Sequence, residues 1–277
     1  MKNIILLSVV IICAFTANAQ HNPSFRHQTP AETAFLNNTH AALSDAIPHT
    51  YKDWKTSPES TYDAIHGWCD VKPDFDDCTG YIPKSVGKGD PYFADVDVEF
   101  KMPDEQSAGY ITAVYGMIKD FSNGPQVATA LKSSNKTKLY IFVSANQSVG
   151  NAGAFVLSYC AKTPPVNLTL PVPTTLAVKG IRSAECPIMD GGRVSLSGNY
   201  YDNAIVFLGK PLTSKKTRTT DDNLTDTRYD IGFDKTKMGK LIVQNVVVTF
   251  KGDSADIDEA IKLIDWQKLY ALIDKNN

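Results

Sequence analysis

Between Ala94 and Phe100 the sequence reads ADVDVEF, with apolar residues alternating strictly with Asp95, Asp97 and Glu99. Successive side chains of a strand point to opposite faces, so a period of two writes a strand with one face in a core and an acidic face toward water. One such strand cannot stand alone. It needs neighbours that extend the buried face, and an antiparallel sheet allows the other face to stay open.

Other segments supply those neighbours. Lys138 to Ala145, Ala154 to Cys160, Thr174 to Ile181, Arg193 to Ser197, Ala204 to Leu208 and the β-branched run Leu241 to Phe250 all read as strands. NQSVGNAG, Asn146 to Gly153, is expected to join the first two of these as a glycine turn, with anion binding by its backbone the lesser reading. Arg193 to Ser197 and Ala204 to Leu208 suggest a hairpin tipped by Tyr200 and Tyr201. Ser214 to Asp230, SKKTRTTDDNLTDTRYD, is polar throughout and reads as a mobile excursion.

Helices are expected at the start, the middle and the end. Thr29-Pro30-Ala31-Glu32 has the form of a capping box, and Phe35, Leu36, Ala42, Leu43, Ala46 and Ile47 share one helical face before Pro48. Ala108 to Phe121 reads as a central helix, and Val127 to Leu131 as a further turn or two. Ser254 caps a helix to Ile264, and Asp265 caps a last one bearing Trp266, Leu269, Tyr270 and Ile273. The fold class is therefore α+β: a mostly antiparallel sheet with an N-terminal helix, a central helix and C-terminal helices.

The opening twenty residues, MKNIILLSVVIICAFTANAQ, combine Lys2, an apolar run from Ile4 to Phe15 and Ala17-Asn18-Ala19. That pattern is a secretory signal peptide cleaved near Ala19, so export to the periplasm or beyond is expected. Cys13 follows two isoleucines, not the small residues of a lipid-attachment site. Residues 20–28 are polar and expected to be a loose tail, and residues 29–277 to form a single domain, with a possible lobe boundary at the prolines of 163–173.

An oxidising compartment makes Cys69, Cys78, Cys160 and Cys186 candidates for two disulfides. Pairing of neighbours, Cys69 with Cys78 and Cys160 with Cys186, is the expected choice of three, because each pair brackets a turn-rich segment. The formal charge of −2 becomes −3 once Lys2 is removed, so no basic excess points to nucleic acid. No later segment is long and apolar enough to insert in a membrane.

Catalytic signatures are sparse: no G-x-S-x-G, H-E-x-x-H, P-loop or G-x-G-x-x-G appears. All five histidines precede Gly67, and His40 is expected to face water from the first helix. The most distinctive stretch is GWCDVKPDFDDCTG, Gly67 to Gly80, which sets Asp70, Asp74, Asp76 and Asp77 around a cysteine strap. These are possible calcium ligands, yet Lys72 and Phe75 break the EF-hand template, and solvent can carry the charges. No metal or other cofactor is required.

Tyr51, Trp54, Tyr62, Trp68, Phe75, Tyr81, Tyr92 and Phe93 crowd the same region. Aromatics beside aspartates suit a glycan-binding or protein-binding surface, or else simply pack the first helix on the sheet. His66, Trp68, Asp76 and Tyr201 form the candidate binding rim. The expected function is a non-catalytic binding or envelope-associated module for a glycan or protein. A secreted hydrolase using carboxylates such as Asp95, Asp97 and Glu99 is the alternative.

Overall fold

The computed structural model describes residues 25–58, 60, 80–116, 118, 123–147, 155–183, 185–186, 189–190, 193–194, 200–209, 212–219 and 224–274. In chain order the elements are β1 (Phe25–His27), α1 (Pro30–Ser44), β2 (Lys55–Thr56), β3 (Tyr81–Pro83) and β4 (Ala94–Lys101). Next come α2 (Asp104–Gly116), α3 (Gly124–Ser134), β5 (Lys138–Ala145), β6 (Phe155–Cys160), β7 (Val166–Asn167) and β8 (Leu176–Gly180). The remainder are β9 (Met189–Asp190), β10 (Arg193–Val194), β11 (Asp202–Gly209), β12 (Leu212–Thr219), β13 (Leu224–Ile231), β14 (Asn245–Gly252), α4 (Ser254–Leu263) and α5 (Trp266–Ala271).

A seven-stranded antiparallel sheet, ordered β2-β4-β5-β14-β11-β8-β7, forms the frame. It takes strands from both sides of residues 163–173. The alternation in β4 has the expected consequence: Val96, Val98 and Phe100 are fully buried, while Asp97 is exposed. Val96 and Val98 join Leu139, Ile141 and Val143 of β5 and Val246, Val248 and Phe250 of β14 in one apolar face.

Three helices close that face. Phe35, Leu36 and Leu43 of α1 pack on it with Ile257 and Ala260 of α4 and Trp266 and Leu269 of α5. The α1 capping box is complete, since Thr29 Oγ1 accepts from the Glu32 amide at 3.3 Å and Glu32 Oε2 accepts from the Thr29 amide at 2.7 Å. Asp265 caps α5 as expected, and Asp253, one residue before Ser254, caps α4. The central helix spans Asp104–Gly116, four residues ahead of the expected start, and α3 extends the expected turn to Gly124–Ser134.

On the opposite face, β12-β13-β6 form a three-stranded antiparallel sheet that covers part of the frame. Leu157 of β6 and Tyr229 of β13 meet Val178, Ile205, Phe207 and Val247 of β8, β11 and β14. Gly180 admits this approach, because a Cβ there would stand 2.9 Å from the Ser158 carbonyl oxygen. A third cluster ties Val114 and Ile118 to Val127, Leu131 and the fully buried Tyr200.

Several expectations are corrected. β5 and β6 lie in different sheets, so they are not a hairpin. β10 pairs with β9, and β11 with β8 and β14, so the hairpin expected around Tyr200 is not formed. The described parts of the polar stretch, Ser214 to Thr219 and Leu224 to Asp230, are not an excursion but the paired strands β12 and β13; their threonines supply β propensity, and Thr217 meets Thr227 at 3.1 Å across the strands. His40 is buried, at 6% exposure. It falls four residues after Leu36 and three before Leu43, on the apolar stripe of α1.

The tail is anchored where it meets α1. β1 pairs with β3, and the Arg26 guanidinium grips Glu32 through two bonds of 2.7 and 2.8 Å. Tyr92 donates to the same carboxylate at 2.7 Å. Bonds from the Arg26 guanidinium hold the Glu32 carboxyl down to about 2, and the Thr29 amide and Tyr92 hydroxyl add to them against the opposing effect of burial. The Cys160–Cys186 disulfide is formed with a Cα separation of 5.6 Å, one of the two expected bridges. Cys69 and Cys78 lie outside the described residues.

Candidate functional site

Among the described residues, the three-stranded sheet leaves β4, β5 and the Thr249–Lys251 end of β14 uncovered on its side of the frame. Strand register dictates what faces outward there. Asp97 stands opposite Phe142 and Phe142 opposite Thr249; one step along, Glu99 opposes Tyr140 and Tyr140 opposes Lys251. Residues two apart on one strand share a face, so these two rows form one patch. Tyr201, immediately before β11, closes it from the side.

The result is an open cleft of about 410 Å³ lined by Asp97, Tyr140, Phe142, Tyr201, Thr249 and Lys251. Phe142, Tyr140 and Tyr201 are half-buried. Tyr140 and Tyr201 meet edge to face, with centroids 5.6 Å apart and planes at 77°.

Charge at the lower rim is locked. Glu99 pairs with Lys101 at 2.9 Å and Lys138 at 3.4 Å, and Lys138 also reaches the Tyr140 hydroxyl at 3.5 Å. Partial burial pushes the Glu99 carboxyl up, but hydrogen bonds from Tyr140 and Lys101 and the nearby lysine charges outweigh it and hold the pKa below the ordinary value. Burial, followed by bonding to Glu99, drives the Tyr140 phenol well above its usual range. Burial likewise raises Tyr201. Both phenols are therefore neutral donors and acceptors at physiological pH, beside a carboxylate that stays ionised.

Of the rim proposed from sequence, Tyr201 lines this cleft. It lies one residue before β11, however, not at a hairpin tip. His66, Trp68 and Asp76 lie outside the described residues, as do Asp70, Asp74 and Asp77. The aromatic belt divides: Tyr51, Trp54 and Tyr92 are buried in the core, so they pack the helix layer and offer no surface. Tyr51 donates to Asp256 at 2.7 Å and Trp54 packs on it edge to face, which explains why both turn inward. Among the described residues no group of three or more His, Cys, Asp or Glu is placed to hold a metal ion, and no helix is long and apolar enough to cross a membrane.

Tyr140, Phe142, Thr249 and Lys251 escape notice in the sequence. Their signal is present only as i, i+2 spacing on β5 and β14, and it acquires meaning once the two strands are known to be neighbours. No family model, no curated protein and no solved structure matches the chain. The reading of the site therefore rests on its chemistry.

Proposed function

We propose that this chain is an exported, non-catalytic binding module that holds a glycan across the open face of its large sheet. The observation that carries the reading is the set of three half-buried aromatic residues, Tyr140, Phe142 and Tyr201, among Asp97, Thr249 and Lys251. Sugar rings present a face of polarised C–H groups that suits the negative face of an aromatic ring, and a rim of hydroxyls that needs donors and acceptors. The cleft supplies both. Its volume falls within the range of small-ligand sites, and its openness suits a chain passing across it more than an enclosed small molecule.

Export is supported by the leader-like N-terminal sequence and by the Cys160–Cys186 disulfide, which persists in an oxidising compartment. Glu99, held ionised by two lysines and a tyrosine, is unsuited to be the protonated acid of a glycosidase, so the hydrolase alternative must draw its acid from another carboxyl group such as Asp95 or Asp97.

A panel of envelope-type oligosaccharides tested by titration calorimetry, with product analysis on the same samples, checks the reading. Binding without turnover, lost in Phe142→Ala and weakened in Asp97→Asn, is expected. Product formation abolished by Asp97→Asn would overturn it in favour of the hydrolase. Undiminished binding in Phe142→Ala would remove the cleft from the account.

A further inference from the structure

The smaller sheet ends in an edge that the proposed glycan site does not use. Strand β12 pairs only with β13 among the described residues, so the backbone N–H and C=O groups on its outer side have no strand partner there. Lys215 through Thr219 are all exposed. Such an edge is a template for another strand, and proteins commonly disarm it by shortness, proline, a bulge or charge. Here the bulge lies at the very start, between Leu212 and Ser214, and the register then runs without a break to Thr219. Cross-strand bonds of 3.1 Å from Thr217 to Thr227 and 3.0 Å from Thr219 to Thr225 hold this stretch in regular pairing.

The charges on the described part of β12 itself, Lys215, Lys216 and Arg218, are all basic. Arg218 stands directly opposite Asp226 on β13 and Lys215 lies over the Tyr229 ring, whereas Lys216 faces no carboxylate across the strands. Lys216 stands directly opposite Arg228, an unfavourable like-charge pair that a nearby anion would relieve. Arg228 is itself bonded to Asp230 at 3.0 Å, so part of its charge is already answered, whereas that of Lys216 is not. Residues 216 and 218 share one face, separated by about 6.8 Å, which is the spacing of alternate side chains on an added strand.

We propose that β12 is a docking edge for an extended acidic segment of a partner protein, which adds as a fourth strand to β12-β13-β6. Carboxylates at alternate positions of that segment meet Lys216 and Arg218, while its backbone pairs with the edge. A second copy of this chain is a poor occupant, because antiparallel β12–β12 pairing sets lysine and arginine against lysine and arginine. A flexible polyanion answers the charge but not the row of backbone donors and acceptors.

The mature chain and a fluorescent peptide of alternating valine and glutamate provide the test, read by anisotropy and by amide hydrogen exchange. Binding with slowed exchange at β12 amides is expected. So is a loss of about tenfold in the double variant Lys216→Glu/Arg218→Glu, each reversal removing one attraction and adding one repulsion. Circular dichroism checks that this variant keeps its fold. A peptide N-methylated along one edge should fail to bind, since its backbone can no longer pair. Equal binding of the N-methylated peptide, or of heparin without amide protection, would reduce the edge to a general anion surface and overturn the proposal. Absence of peptide binding, or concentration-dependent dimerisation through β12, overturns it as well.

Discussion

Replacing Glu32 with glutamine keeps the shape of the side chain and removes the charge on which Arg26, Tyr92 and the α1 capping box converge. The carboxyl is held at about 2 against an ordinary 4.5, which corresponds to about 3 kcal/mol of stabilisation when ionised. Arg26 is 30% exposed and partly screened by solvent, so about 2 kcal/mol is the better expectation for Glu32→Gln near neutral pH. The folded pKa lies below the unfolded one. The stabilisation is therefore complete above the unfolded value and disappears as pH falls through about 2. Urea unfolding of both proteins across the acid range should show a gap that is largest near neutrality and closes toward about pH 2. A gap that stays constant with pH would show that the variant loses packing rather than a charge interaction. No gap at all would mean that Arg26 and Glu32 are held together without contributing to stability.

Other perturbations probe the frame that carries the cleft. Gly209 has φ +97, and a Cβ there would stand 2.4 Å from the Gln244 carbonyl oxygen, so Gly209→Ala should lower stability by about 1–3 kcal/mol in urea. Asp202, 1% exposed, accepts from the Arg182 amide at 2.6 Å and from Lys132 Nζ at 3.1 Å. Lys132→Met strands that carboxylate and should cost about 3–5 kcal/mol, measured by chemical denaturation, with partial recovery in the double variant that adds Asp202→Asn. Removing the Cys160–Cys186 bridge as a double alanine variant should lower stability by about 3 kcal/mol, seen as a fall in melting temperature and no change in cleft binding.

Local signals in the sequence translate directly into structure. The alternation of ADVDVEF becomes β4, the capping box at Thr29 opens α1, and Asp265 opens α5, because each depends on residues within one turn or one strand. Pairing between distant segments is less legible. β14 sits between β5 and β11, and only that arrangement reveals that Phe142 and Thr249 are neighbours. The polar composition of β12 and β13 conceals two paired strands whose threonines carry the strand preference. Tyr200 and Tyr201 are adjacent in the chain yet part company, one fully buried against α2 and α3 and the other on the cleft. A strand reverses its side chains at every residue, so an error of one position exchanges core for surface.

The proposed glycan-binding role of the cleft is tested most directly by NMR of the aromatic side chains during titration with an oligosaccharide that binds the protein. Ring resonances of Tyr140, Phe142 and Tyr201 should shift together and saturate at the same ligand concentration, with Tyr51 and Trp54 in the core unmoved. Shifts confined to rings outside the cleft, with these three unchanged at saturation, would contradict the account.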